Sequence, residues 1–250
     1  MACYTAKHQT IDDASHGITD WKNEIFMNYQ PCRHDPVFGL CHWQLRKNIA
    51  QKQEHDLARN QDPWERLQQS VQQCTRCTLH QTRTQTVFGV GDRQADCMLI
   101  GEAPGFYEDQ QGEPFVGRAG QLLTAMLRSI GLTRQQVYIA NILKCRPPNN
   151  RDPAPEEVHQ CTHFLEQQIH LVRPKLLLAL GRFAAHYLLD TKISVEQCRG
   201  KVHVYKKNTM EHGVPCMVTY HPAYLLRNPH DKKKACADLL LMQRQLSLST

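Results

Sequence analysis

Short apolar runs alternate with longer stretches of helical period through everything after about residue 62. Met98-Leu99-Ile100, Val137 to Ile142, Leu176 to Leu180 and Met217 to Tyr220 are each apolar at successive positions and bounded by polar or turn residues. A strand with one open face would alternate, so these runs predict parallel strands buried on both faces. Stretches from Gly120 to Ile130, Ala154 to Val172 and Arg182 to Leu189 read as the intervening helices, and Ala235 to Leu246 as a final one. Repetition of this kind predicts a three-layer α/β/α fold around a central, mostly parallel four-stranded sheet.

Residues 1–61 break the pattern. They are rich in Gln, His, Asn and Asp without sustained apolar periodicity, and are expected to form an N-terminal extension, partly helical or disordered. Asp62-Pro63 then supplies an N-cap and a first-turn proline, and Trp64, Leu67 and Val71 follow at helical spacing. The folded domain is therefore placed at 62–250.

Composition narrows the class. No run of 18 apolar residues occurs, so no transmembrane helix is expected. The stretch from Met1 to His8 leads into polar residues, not an apolar signal core, so no secretory signal is expected either. Eleven cysteines is an odd number for a disulfide scaffold. Cys97, Cys216 and Cys236 sit in apolar segments and read as small buried hydrophobes, which suits a reducing, cytoplasmic setting. The net charge of +6 is modest and compatible with a polyanionic partner.

Candidate chemistry gathers at the ends of the strands. Gly101-Glu102-Ala103-Pro104-Gly105 follows the first run, at the edge where open sheets bind ligands. Alone it would be a tight turn, but Glu108, Asp109 and Pro114-Phe115-Val116-Gly117-Arg118-Ala119-Gly120 come next. This last segment opens a helix whose amides favour an anion such as a DNA phosphate. Gly89-x-Gly91 lacks the third glycine of a dinucleotide fingerprint. Asn141, inside an apolar strand, is either a satisfied core amide or a reader of a base edge. His221 stands at the end of the fourth run with a rigid Pro222 behind it. Leu225, Leu226 and Arg227 offer an apolar wedge and a cation for DNA, or an ordinary helix start. Cys74-x-x-Cys77 and the looser pair Cys145 and Cys161 can hold a metal centre, with zinc or a cluster both open on spacing alone. Cys32, His34, Cys41 and His42 have ligand chemistry, but their spacing is too irregular for a standard finger.

Taken together, Gly-Glu-Ala-Pro-Gly at 101–105, Pro-Phe-Val-Gly-Arg-Ala-Gly at 114–120, Asn141 to Pro148 and His221 to Arg227 resemble the family-4 uracil-DNA glycosylases. The resemblance runs over roughly 62 to 246, and Phe106-Tyr107 departs from the polar or acidic residues the family more often carries there. It implies a uracil-DNA glycosylase-like catalytic domain that hydrolyses the N-glycosidic bond of deoxyuridine and leaves an abasic site. It implies that Phe115 stacks on the extruded base, Asn141 reads its edge and an amide near Ala103 contacts a carbonyl. His221 would stabilise charge on the departing uracil, and Glu102 would support the sugar cation or position water, with Glu108 and Asp109 as weaker candidates. The same resemblance makes Cys74, Cys77, Cys145 and Cys161 ligands of a structural [4Fe-4S] cluster, with zinc as the alternative. The implied partner is uracil-containing DNA, single- or double-stranded, bound by a monomer. A non-catalytic cluster- or metal-containing nucleic-acid-binding module is the competing reading.

Overall fold

The computed structural model describes residues 62–207 and 212–248. The extension, with Cys32, His34, Cys41 and His42, lies outside the described residues. The domain opens with helix α1, Pro63–Gln72, where Asp62 accepts from the amide of Trp64 and Pro63 occupies the first turn. The core sheet then takes β1 Val90–Gly91, β2 Cys97–Gly101, β3 Tyr138–Asn141, β4 Leu176–Leu180, β5 His203–Tyr205 and β6 Val214–Thr219.

Their order across the sheet is β1-β3-β2-β4-β6-β5. The four strands expected from the apolar runs are β2, β3, β4 and β6, and they pair in parallel. β1 and β5 close the two edges in antiparallel fashion. At two and three residues each, they are too short for a periodic signal.

Side chains along each parallel strand alternate between two cores, as a pleated backbone requires. Met98, Ile100, Ala140, Leu177 and Val218 face α1, α4 (Pro155–Val172) and α5 (Arg182–Leu189). Leu99, Ile139, Leu178, Leu180 and Met217 face α3 (Arg118–Arg128) and the C-terminal helix α8 (Lys232–Leu248). Both faces are covered, which is why the strand sequences are continuously apolar. Three shorter helices, α2 (Phe106–Gln111), α6 (Val195–Cys198) and α7 (Pro222–Arg227), sit in the connections. Cys97 and Cys216 are buried as expected, whereas Cys236 is exposed on α8. Among the described residues no helix is long and apolar enough to cross a membrane.

Chain direction creates the ligand crevice. From β2 the chain moves to β3 on one side, then crosses back to β4 on the other. The carboxyl ends of β2 and β4 therefore diverge at a topological switch point, where open sheets receive ligands. A buried ion pair locks α8 against this sheet. Asp238 accepts from Thr219 Oγ1 at 2.8 Å on β6 and from Arg199 at 2.9 and 3.1 Å. Asp238→Ala leaves a half-buried guanidinium and a buried hydroxyl without their acceptor, so it is expected to cost about 3 kcal/mol in urea denaturation.

Candidate active site

The strand ends converge on a cleft of about 1070 Å³ lined by Glu102, Phe115, Asn141, Gly181 and His221, among others. Gly101 and Asn141 are register partners on β2 and β3. A Cβ on Gly101 would collide with Asn141 Oδ1 and come within 2.6 Å of the Phe115 ring. Glycine is thus what lets amide and ring meet at the strand ends. Gly181, at φ +88°, ends β4 the same way, and a Cβ there would lie 2.7 Å from His221 Cβ.

Asn141 is 2% exposed, and its Oδ1 is a buried side-chain acceptor with no hydrogen-bond partner. Buried polar atoms are normally satisfied, so an orphan acceptor in a cleft is set for a donor from a ligand. The backbone beneath it is fixed. Lys144 Nζ donates to Asn141 O at 2.7 Å and to Gln168 Oε1 at 2.6 Å, and Gln168 in turn donates to Phe88 O.

Phe115 adopts φ 56°, a left-handed backbone that costs a non-glycine residue about 1 kcal/mol or more. Arg134 holds it there, its guanidinium donating to Pro114 O at 2.7 Å and Phe115 O at 3.2 Å. The Phe115 and His221 rings lie 5.6 Å apart, inclined by 34°. His221 caps α7 by accepting from the Ala223 amide at Nδ1, 3.1 Å. An accepting Nδ1 puts the proton on Nε2, so the neutral ring has a donor left for a ligand. Burial, and then the nearby Arg227 cation, push this imidazole down to about 4. It is uncharged at neutral pH.

Among the acidic candidates the structure separates the roles. Asp109 is buried and both its oxygens accept from the Thr84 amide. Glu108 Oε1 accepts from the amides of Val116 and Gly117, each at 3.0 Å. The protein's own carboxylate therefore takes the two amides just before the first turn of α3. Asp109 is thus bound to the backbone through both oxygens, whereas Glu108 is bound through Oε1 and still lines the cleft. Glu102 lines the cleft too, and burial followed by the charge of Asp152 pushes it up to about 7, with Arg182 opposing.

Ala103 lines the same cleft. Arg227 is exposed at its rim and Leu226 is 37% exposed. Leu225 is a correction: it is fully buried in the core under α7. In a helix, adjacent leucines point in different directions, so only one of the pair can face solvent.

Cys145 and Cys161, the latter on α4, are buried in one apolar core with Cys74 and Cys77 packed against it, and the four thiols interact electrostatically. Arg83 donates to Cys145 Sγ at 3.1 Å, and the Lys144 amide to Cys161 Sγ at 3.3 Å. Burial pushes the thiols of Cys77, Cys145 and Cys161 up, that of Cys161 to about 12, and neighbouring sulfurs add to each rise. Ionising such a set takes compensating positive charge, which a metal centre supplies. The donor set fits a thiolate-bound centre. Among the described residues no three His, Cys, Asp or Glu side chains are placed to hold one single ion.

Residues 88–243 match the family model of the Uracil DNA glycosylase superfamily. A Type-4 uracil-DNA glycosylase of Archaeoglobus fulgidus is 46% identical over 172 residues, covering 67% of this chain and 85% of that protein. The chain belongs to the type-4 uracil-DNA glycosylases. Two further members, from Sulfurisphaera tokodaii and Thermotoga maritima, are 44% and 45% identical, covering 80% and 82% of their own lengths. Membership agrees with the order of motifs from Gly101 to Arg227, and the matched residues leave the N-terminal extension outside.

Several residues that build this type-4 site carry no motif signal. Arg134, Lys144, Gln168 and Arg182 reach it from remote positions. Tyr220 and Tyr224 flank His221 in sequence and stack at 4.9 Å, with Tyr220 bonded to Glu196 and Tyr224 to Asp231. Gly101→Ala forces the Asn141 amide or the Phe115 ring aside. It is expected to lower stability by about 1–3 kcal/mol in thermal or urea denaturation while the far-ultraviolet dichroism stays unchanged.

Proposed function

We propose that this chain releases uracil from DNA by hydrolysing the N-glycosidic bond, with the extruded nucleotide held in the cleft between Phe115, Asn141 and His221. The observation that carries this reading is the orphan acceptor at Asn141 Oδ1. Uracil presents an N–H at N3 and a carbonyl at O4, so one amide can satisfy both. Cytosine presents a bare N3 and an amino group, which would leave acceptor against acceptor. A base inside a duplex is out of reach, and extrusion into a pocket of this kind is how such chemistry proceeds.

The remaining groups divide the work. Phe115 supplies a stacking face for the flat base. An amide near Ala103 donates to a uracil carbonyl. His221, neutral and with its proton on Nε2, donates to O2 as negative charge builds on the departing base. A preset neutral donor of this kind contributes about 10²–10³-fold. The sugar left behind has oxocarbenium character, and Glu102 as carboxylate supports it or orients the attacking water. Arg227 and Leu226 contact the DNA beside the extruded nucleotide. Cys74, Cys77, Cys145 and Cys161 would hold a [4Fe-4S] cluster, whose contribution is to brace the Arg146–Arg151 loop and the end of β3. No electron is needed for a hydrolysis. Zinc is the competing occupant. The folded domain is 62–250, and uracil-containing DNA is its partner, bound by a monomer in the cytoplasm.

Incubation with a uracil-containing oligonucleotide and then alkali should break the strand at the uracil. His221→Ala is expected to slow release by at least about 100-fold with DNA binding retained. Asn141→Asp should erode the preference for uracil. A protonated Glu102 is inactive in this scheme, so kcat/KM should fall tenfold per unit below about pH 7 and stay flat above it. Glu102→Gln should remove that limb, and His221 should add none between pH 5 and 9. No strand break with wild-type protein would leave only the binding-module reading. Anaerobic purification should yield brown protein with about four iron atoms per chain. A colourless protein carrying zinc would overturn the cluster.

A further inference from the structure

Outside the cleft, the feature that the uracil chemistry leaves unused is an exposed aromatic pair. Phe106 and Tyr107 are 50% and 58% exposed and meet edge to face, with centroids 5.5 Å apart and planes at 81°. Large aromatics are rarely left this open next to a ligand site without a partner. Loose packing does not explain their exposure. The helix that carries them, α2, is pinned by Asp109 to Thr84, by Glu108 to Val116 and Gly117, and by Gln85 to Gln110. The fold thus holds the two rings outward on a fixed support.

Their position is set by the cleft itself. Gly105 and Pro147 both line it. Their chain neighbours Phe106 and Arg146 meet just outside, the guanidinium carbon 5.1 Å from the Phe106 ring centroid. Arg146 is steadied by Asn150 Oδ1, which accepts from Nε at 2.8 Å. Tyr107 lies against Gly117, at the start of α3, where Arg118 is exposed. Two flat apolar faces with cations beside them match an unpaired nucleobase and its phosphates.

We propose that Phe106 and Tyr107, with Arg146, form a stacking platform for an unpaired base adjacent to the extruded uracil nucleotide. Extruding a nucleotide breaks the stack on both of its sides. A protein ring that takes over one face offsets part of that loss. The platform rests on the uracil-excision reading and extends it to the flanking strand. It favours substrates whose neighbouring bases are already unpaired, so single-stranded uracil DNA gains most from it.

The test compares wild-type protein with Phe106→Ala, Tyr107→Ala and the double variant on single-stranded uracil oligonucleotides. Each single change is expected to raise KM about tenfold, and the double change more, with kcat within twofold of wild type. Phe106→Trp and Tyr107→Trp should restore KM, since indole keeps a stacking face. A second readout places 2-aminopurine beside a non-cleavable 2′-fluoro-deoxyuridine, on one side and then the other. Binding by wild-type protein should quench it on one side, and the double variant should lose that quench. Wild-type release of uracil with KM unchanged in all variants would overturn the platform and leave the glycosylase reading standing. A fall in kcat at constant KM would also overturn it, because the rings would then be acting on Phe115 or Glu108. Loss of a dimer in sedimentation on mutation would assign the patch to a second copy of the chain instead. Absence of uracil release by wild-type protein would sink the glycosylase reading itself.

Discussion

A missing side chain at Gly101 is the constraint on which the site depends. Its register partner across β2 and β3 is Asn141, and the space a Cβ would fill is taken by the Asn141 amide and the Phe115 ring. From that one contact the rest follows. The amide oxygen is buried without an internal donor, the ring is turned into the cleft, and His221 closes the third side. Gly181 repeats the device at the end of the adjacent strand, β4, where His221 needs the same closeness. Two glycines at the ends of parallel strands let three functional side chains share one small volume.

Much of the remaining sequence keeps those side chains still. Arg134 clamps the left-handed turn at Phe115, and Glu108 caps the segment just after it. Lys144 ties the backbone of Asn141 to Gln168, three residues from the cleft and one from Cys145. Phe115 stays in an unfavourable conformation only because its surroundings over-determine it. The four cysteines belong to this supporting layer. They pack beside α1 and α4, next to the end of β3 and the loops that frame the cleft.

Electrostatics divides the ionisable groups by environment. His221 and Glu102 line the same cleft, yet burial drives both toward neutrality, one downward to about 4 and the other upward to about 7. The imidazole is thereby neutral at neutral pH. The carboxyl sits where a small pH change alters its charge. Asp109 and Glu108 are held by backbone amides.

The sequence by itself determined the layers, the four parallel strands and most of the helices, because burial on both faces writes itself as unbroken apolar runs. It also pointed to the strand ends that line the cleft, since Glu102 and His221 follow such runs and Asn141 interrupts one. Tertiary structure decided what no local pattern encodes. β1 and β5 exist only because a neighbouring strand has open hydrogen-bonding groups. Leu225 went to the core and Leu226 to the surface through the rotation of a six-residue helix. Glu108 and Asp109 found backbone amides in segments distant in sequence or beyond a turn. Spacing in the chain says which residue types are near one another in sequence. Which of them lose water, and which find a partner, is settled only when distant segments pack.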